Sequence, residues 1–327
     1  MYQNYRFKKI EKQVQEKAVN FVTNKCSTMK KEIVKIDTIH QCNTFFGKKT
    51  LHPLASVIDF SKVNEKRQVL LQFSFYSVWL KEYKCNSFGY GRKFCDYSDG
   101  TLLFLSPGVL VDTEKNHGMS CSNGYLLTFH PDLIKETFPE EHMKDYTFFF
   151  YQQDEALHLS SREKRIIHTC LERINEEIHH PIDNQSNILI TNKIELLLNH
   201  CVRFYDRQFI TRHKANENLI KKTKQILNHY LTSGQKGSRG MISSSYCAVL
   251  LHLSTAYFDD LLKHESGKTI HEYIQLKRIE LAKKQLSKTN KTIVQISEEL
   301  GFSSPLCFSR LFKKLTGYGP NQYRSKY

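Results

Sequence analysis

The sequence contains no His-x-His pair, no Cys-x-x-Cys pair, and no GxSxG, HExxH, P-loop or dinucleotide-binding fingerprint. No paired carboxylate or Cys/His constellation stands out, so the usual hydrolase, zinc-protease and nucleotide-binding motifs are excluded. One near miss is the Gly-Lys-Thr at 267–269, which ends a P-loop pattern whose earlier glycine falls on Leu262. It reads as a helix cap. His117 and His130 stand alone where a metal-dependent barrel enzyme would need clustered His and carboxylate ligands, and His179-His180 lies in a turn. No metal and no cofactor are expected. The nine cysteines are odd in number and follow no framework, which favours reduced, buried thiols in a cytoplasmic protein. No apolar run approaches membrane-spanning length and the first twenty residues lack an apolar core, so no membrane partner is expected.

What is present is positive charge, unevenly placed. The 327 residues carry a formal charge of +15. Residues 1–35 hold 9 Lys/Arg against 3 Asp/Glu, residues 36–216 hold 21 against 22, and residues 217–327 hold 18 against 8. A near-neutral middle followed by a basic C-terminal module points that module at a polyanion. The length suits two or three domains. Residues 1–28 read as a basic extension, expected to be disordered, with Met29 as a possible true start.

Residues 29–212 form the first expected domain. Short apolar runs at 55–60, 69–80, 101–105 and 124–129 are separated by turn signals at Asp99-Gly100, Pro107-Gly108 and Asn123-Gly124. Val69, Leu71, Phe73 and Phe75 alternate as on a strand with one buried face. Many short strands before any long helix suggest a barrel or sandwich. Two long helices trail it. Ser160 with Glu163 opens the first, whose stripe is Ile166, Ile167, Cys170, Leu171, Ile174 and Ile178; the second carries Ile190, Ile194, Leu197, Leu198, Cys201, Phe204 and Tyr205. These helices pack on the barrel or form a dimer interface. The polar stretch 209–216 makes a natural linker, with 213–220 leading into an all-α domain at 217–327. The loop at 233–240 is basic, and Lys236 or Arg239 there could meet a phosphate.

The last hundred residues contain a duplication. STAYFDDLLKHESG at 254–267 and SPLCFSRLFKKLTG at 304–317 align without a gap at an offset of fifty. Ser254/Ser304, Phe258/Phe308, Leu261/Leu311, Lys263/Lys313 and Gly267/Gly317 recur. In the second copy Phe308, Leu311, Phe312 and Leu315 make an apolar stripe, with Gly317 as a left-handed cap. A short helix with Ile293, Ile296 and Leu300 precedes it, turning at Gly301. The first copy is expected to be built alike, with Tyr246, Val249 and Leu250 before a turn at His252-Leu253. Helix, tight turn, helix with a basic face is a helix-turn-helix, here used twice.

The stretch ISEELGFSSPLCFSRLFKKLTGYGPNQYR at 296–324 resembles the C-terminal signature of AraC-family transcription regulators. The resemblance reaches back to about residue 217. It implies a bacterial regulator with two helix-turn-helix units joined by a rigid helix, binding double-stranded promoter DNA and contacting RNA polymerase. The segment DGTLLFLSPG at 99–108 is similar to the strand and turn of the cupin-like sensing domains common in that family. The expected fold is therefore α+β and multidomain: a cupin-like β-barrel with two trailing helices, then an all-α DNA-binding domain. A small-molecule effector and a homodimer are implied as partners. A cupin-type small-molecule-binding enzyme and a non-specific architectural DNA protein are the competing readings.

A continuous helix over 270–286 spans roughly 25 Å, which sets two reading helices about one DNA turn, roughly 34 Å, apart. In the second unit Arg310 occupies the family's usual Arg position, suited to guanine or phosphate. Ser304, Pro305, Leu306 and Ser309 lie near the helix start for base edges, and Lys313 and Lys314 suit phosphates. In the first unit Ser254, Thr255 and Ala256 are the matching candidates, with Lys263 for the backbone. There Asp259-Asp260 departs from the family pattern: carboxylates facing phosphate are repelled unless one accepts from a cytosine amine or pairs with Lys. On the linking helix Lys277, Lys284 and Lys288 share a face, diluted by Glu280.

Overall fold

The computed structural model describes residues 32–63, 69–82, 100–112, 123–135, 142–232 and 243–326. The basic extension at 1–28, the loop at 233–240, His117 and Asp99 lie outside the described residues. The chain begins with β1 (Ile33–Ile36) and α1 (Ile39–Phe45), the latter closed by a capping box of Thr38 and Gln41. Then come β2 (Ala55–Asp59), β3 (Leu70–Phe73), β4 (Tyr76–Glu82), β5 (Gly100–Leu105), β6 (Leu110–Asp112) and β7 (Asn123–Phe129). Short helices α2 (Pro131–Lys135) and α3 (His142–Asp145) lead through 3-10 turns at Thr147–Phe150 and Gln153–Glu155 to β8 (Leu157–Leu159).

These strands form two sheets, β1-β3-β6 and β2-β7-β4-β5-β8. Among the described residues the sheets stay open, so the expected closed barrel is not what the strands build. The stretch 69–80, expected as one strand, is split. At Ser74 the chain leaves the small sheet, where Ser74 Oγ donates to Asp37 Oδ1 at 2.6 Å, and enters the large one. The alternation nevertheless holds: Val69, Leu71, Phe73 and Phe75 are buried between the sheets with Trp79, Leu103 and Leu126. Asn123-Gly124, expected as a turn, starts β7 instead. Gly124 has φ +131°, and a Cβ there would sit 2.1 Å from the Leu80 carbonyl oxygen, so only glycine fits the close pairing of β7 with β4.

Every residue of β5 is buried because the large sheet is covered on both faces. Its outer face, with Val78, Leu80, Phe104 and Leu127, packs on α4 (Ser161–His179) and α5 (Ser186–Thr211). The capping box expected from Ser160 and Glu163 forms, with Ser160 N–H donating to Glu163 Oε2 at 2.8 Å. The same carboxylate takes a two-pronged contact from Arg207, at 3.0 and 2.7 Å, which fixes α5 to the start of α4. The helical stripes read from sequence are the buried ones, with Ile166 at their edge.

The expected linker is helical. α5 ends at Thr211, Arg212 caps it, and α6 (His213–Thr232) starts at the next residue. Asn216 Nδ2 spans the joint, donating to the Phe209 carbonyl at 3.0 Å and to Glu265 Oε1 at 3.1 Å. The C-terminal half then comprises α7 (Ser244–Leu251), α8 (Thr255–Ser266), α9 (Ile270–Lys288), α10 (Ile293–Glu299), α11 (Pro305–Thr316) and α12 (Pro320–Lys326). Thr269 caps α9 with Glu272, so the Gly-Lys-Thr at 267–269 is the junction of two helices.

The apolar side of α7–α8 does not close on itself. Leu253, Tyr257, Phe258 and Leu261 belong to one continuous core with Phe148, Tyr205 and Phe209. The second pair has its own core of Ile279, Ala282, Leu286, Ile296, Leu300, Phe308 and Phe312. Arg324 clamps α12 to it through the carbonyls of Leu286 and Lys291.

Candidate nucleic-acid interface

Two helix pairs, α7–α8 and α10–α11, hang from the ends of α9. Each second helix opens on a serine cap: Ser254 Oγ accepts from Tyr257 N–H at 3.1 Å, and Ser304 Oγ from Cys307 N–H at 3.2 Å. Each closes on a left-handed glycine, Gly267 (φ +66°) and Gly317 (φ +80°). Phe258 and Phe308 are both fully buried, so the fifty-residue alignment is a structural one.

The first helices align at an offset of forty-nine, not fifty. Cys247, Ala248 and Leu251 take the buried positions of Ile296, Ser297 and Leu300, and His252 (φ +56°) takes the left-handed position of Gly301 (φ +72°). The second turn is one residue longer, holding Phe302 and Ser303 where the first has only Leu253. This corrects the expected face of α7: Tyr246, Val249 and Leu250 are its exposed side, 44–48% accessible. Arg278 of α9 lies over the Phe302 ring at 5.5 Å and near Gly301, seating the longer turn on the linking helix.

On α11, Leu306 is 59% exposed, Arg310, Lys313 and Lys314 are exposed, and Ser309 and Pro305 are half-buried. Among the described residues none of these three cations has an acidic partner. Pro305 occupies the first turn, where its missing N–H costs nothing. Cys307, also exposed here, has its thiol pulled below the usual range by hydrogen bonds from Ser304 and Ser303 and by the Arg310 charge. It was not among the sequence candidates.

The first unit differs. Thr255 and Lys263 are exposed and Ala256 is half-buried, but Ser254 is buried at 9%. Its N–H and hydroxyl donate to Glu155, at 2.8 and 2.5 Å, across the boundary with the N-terminal half. Ser254 therefore corrects the expectation of a residue free to face bases, because a buried carboxylate already satisfies its donors. Asp259 accepts from Ser244 Oγ at 2.6 Å, and burial pushes its carboxyl up. Asp260 accepts from Thr147 Oγ1 at 2.5 Å and from Tyr151 Oη at 2.6 Å. Neither aspartate needs a base or a lysine to be satisfied.

Thr147, Tyr151 and Glu155 were invisible as site residues in the sequence. Thr147 and Glu155 sit in 3-10 turns and Tyr151 caps the first of them, with no periodicity beyond their spacing of four. On α9, Lys277 is tied to Glu280 at 2.5 Å, which raises its affinity for a proton and spends its charge locally; Lys284 and Lys288 are exposed.

A helix-turn-helix domain family matches residues 247–326. The probable transcriptional regulator LumQ of Photobacterium leiognathi is 25% identical over 238 residues, covering 72% of this chain and 86% of that protein. The F1 operon positive regulatory protein of Yersinia pestis is 39% identical over 79 residues, covering 24% of this chain and 26% of its own length. The uncharacterized regulator YobQ of Bacillus subtilis is 38% identical over 78 residues, covering 24% and 32%.

Proposed function

Because the chain is a DNA-binding transcription regulator with an AraC-type helix-turn-helix domain at its C-terminus, we propose that its two helix pairs read promoter DNA in successive major grooves. The observation that carries this is the face of α11. Arg310, Lys313 and Lys314 stand exposed beside Leu306 and Ser309 on a helix whose other face is locked by Phe308 and Phe312. Arg310 suits guanine O6/N7, Leu306 a thymine methyl, and the lysines the backbone. α9 supports the spacing: its 19 residues run about 28 Å, so one face of the duplex meets both pairs about one helical turn apart.

The N-terminal half takes the effector or dimerisation role. Lys81, 2% exposed and lying 4.4 Å over the Trp79 ring, puts a charge inside a cupin-like pair of sheets. Exposed Leu189, Leu196 and Ile210 along α5 support a homodimer contact. RNA polymerase is the protein partner on the promoter, by family resemblance. Selection of bound duplexes from a random pool with the full chain tests the DNA reading. A motif with halves about ten base pairs apart is expected; no enrichment over random duplex rejects specific recognition.

A further inference from the structure

We infer that the N-terminal half blocks the first helix pair from DNA by gripping the face of α8 that corresponds to the DNA-reading face of α11. This rests on the DNA-reading role proposed above. The duplication supplies the ruler. At an offset of fifty, Tyr257, Asp260 and His264 correspond to Cys307, Arg310 and Lys314, one stripe at helical spacing. On α11 all three positions are exposed. On α8 the first two are covered by the N-terminal half, while His264 stays exposed and touches it only at its edge. Tyr257 is 5% exposed, its ring 5.1 Å from Tyr151 and 5.3 Å from Phe209. His264 lies 5.4 Å from Phe209, and Asp260 is held by Thr147 and Tyr151.

The start of α8 is blocked by a second, independent contact. Amides and hydroxyls at a helix N-terminus attract anions, and a DNA phosphate is the anion a reading helix meets there. Glu155 already fills that place, its two carboxylate oxygens on Ser254 N–H and Oγ. A carboxylate from the same chain thus stands where a phosphate oxygen would be. Docking and groove insertion compete for one surface, so each weakens the other by the same factor.

The competition also accounts for Asp260. At the position of Arg310 the first unit needs an acceptor for two hydroxyls, not a donor for a base. The gripping segment is connected to the sheets: Phe148 packs on Phe104 of β5 at 4.3 Å, and Glu155 leads directly into β8. A shift of the large sheet relative to α8 would therefore disturb the contacts of Thr147, Tyr151 and Glu155 together.

The test uses the full chain and the double variant Thr147→Val, Tyr151→Phe, which keeps the packing and removes both hydroxyl donors. Both proteins are footprinted on a duplex taken from the random-pool selection and followed by hydrogen exchange. The wild type should protect the half read by α11 first and the second half only at about tenfold higher concentration or more. The double variant should protect both halves together. Saturating DNA should raise exchange at 147–155 in the wild type. Glu155→Gln, which puts an amide against the Ser254 donors, should reproduce the release if the double variant folds poorly. Protection of both halves at one concentration by the wild type, with exchange at 147–155 unchanged by DNA, would overturn the block and leave the DNA reading intact. Variants that footprint like the wild type would overturn it equally. Absence of any sequence-specific footprint would remove the DNA reading and the block with it.

Discussion

The phenol of Tyr151 donates to the carboxylate of Asp260 at 2.6 Å, joining a turn of the N-terminal half to a helix 109 residues later. Burial and that carboxylate hold the Tyr151 hydroxyl protonated well above the usual range, so it remains a donor at any physiological pH. A hydrogen bond to a charged acceptor contributes on the order of 1.5–3 kcal/mol. A double-mutant cycle of Tyr151→Phe and Asp260→Ala should give a coupling of about 1–2 kcal/mol in urea unfolding. Strict additivity of the two changes would mean that the contact contributes nothing to stability.

Arg310→Ala should weaken binding to the selected duplex by about 1–3 kcal/mol and relax preference at one base pair. Lys314→Ala should weaken all duplexes alike and lower the salt slope by about 1. Titrations at several salt concentrations separate the two. Identical effects of both changes on specific and random DNA would assign Arg310 to the backbone.

Cys307 gives a chemical reading of the same face. Its exposed, acidified thiol should react with a maleimide faster than the buried thiols of Cys42, Cys170, Cys201 and Cys247. Bound specific DNA should slow that reaction. Peptide mapping reports the site, and an unchanged rate at saturating DNA would place α11 outside the groove.

Glu155 predicts a pH dependence with a definite sign. Burial is the main cause and pushes its carboxyl up; the donors Ser254 and Gln152 pull it back in part, and Asp154 adds to the rise. The folded state then binds this proton more tightly than the unfolded state. The contribution to stability is complete below the ordinary carboxylate value of about 4.3 and is lost as pH rises through the raised one. Urea midpoints across pH 4–8 should show that loss in the wild type, and Glu155→Gln should lack it. Equal pH profiles for the two proteins would contradict the assignment.

How far the sequence disclosed this molecule depended on repetition and period. The stripes of α4 and α5, the glycine caps of α8 and α11, and the run of α9 follow from 3.6-residue spacing and cap chemistry, and were readable; Ser254 and Ser304 stood out as base-facing residues, not as the caps they are. An offset of fifty places the face of α7 one position out, because the turn before α8 is one residue shorter than the turn before α11. Barrel closure was overestimated because buried alternation at Val69–Phe75 reports a covered face, not how sheets join. The docking of α8 was unreadable for a different reason. Thr147, Tyr151 and Glu155 gain meaning only from Asp260 and Ser254, about a hundred residues away, and no local pattern encodes such a meeting. The misfit of Asp260 with the family pattern is the visible trace of it.

The boundary between the two cores lies inside α9, where Ile274 belongs to one and Ile279 to the other, little more than a turn apart. The two halves are therefore not joined by a hinge that can be cut and rejoined at will. A break at residue 212 would separate Phe209 and Tyr151 from Tyr257 and leave each piece with half of a shared core exposed. Exchange of N-terminal halves between regulators of this kind is constrained by that surface: a transplanted C-terminal half keeps its first helix pair in order only if the new host offers its own counterpart to Thr147, Tyr151 and Glu155.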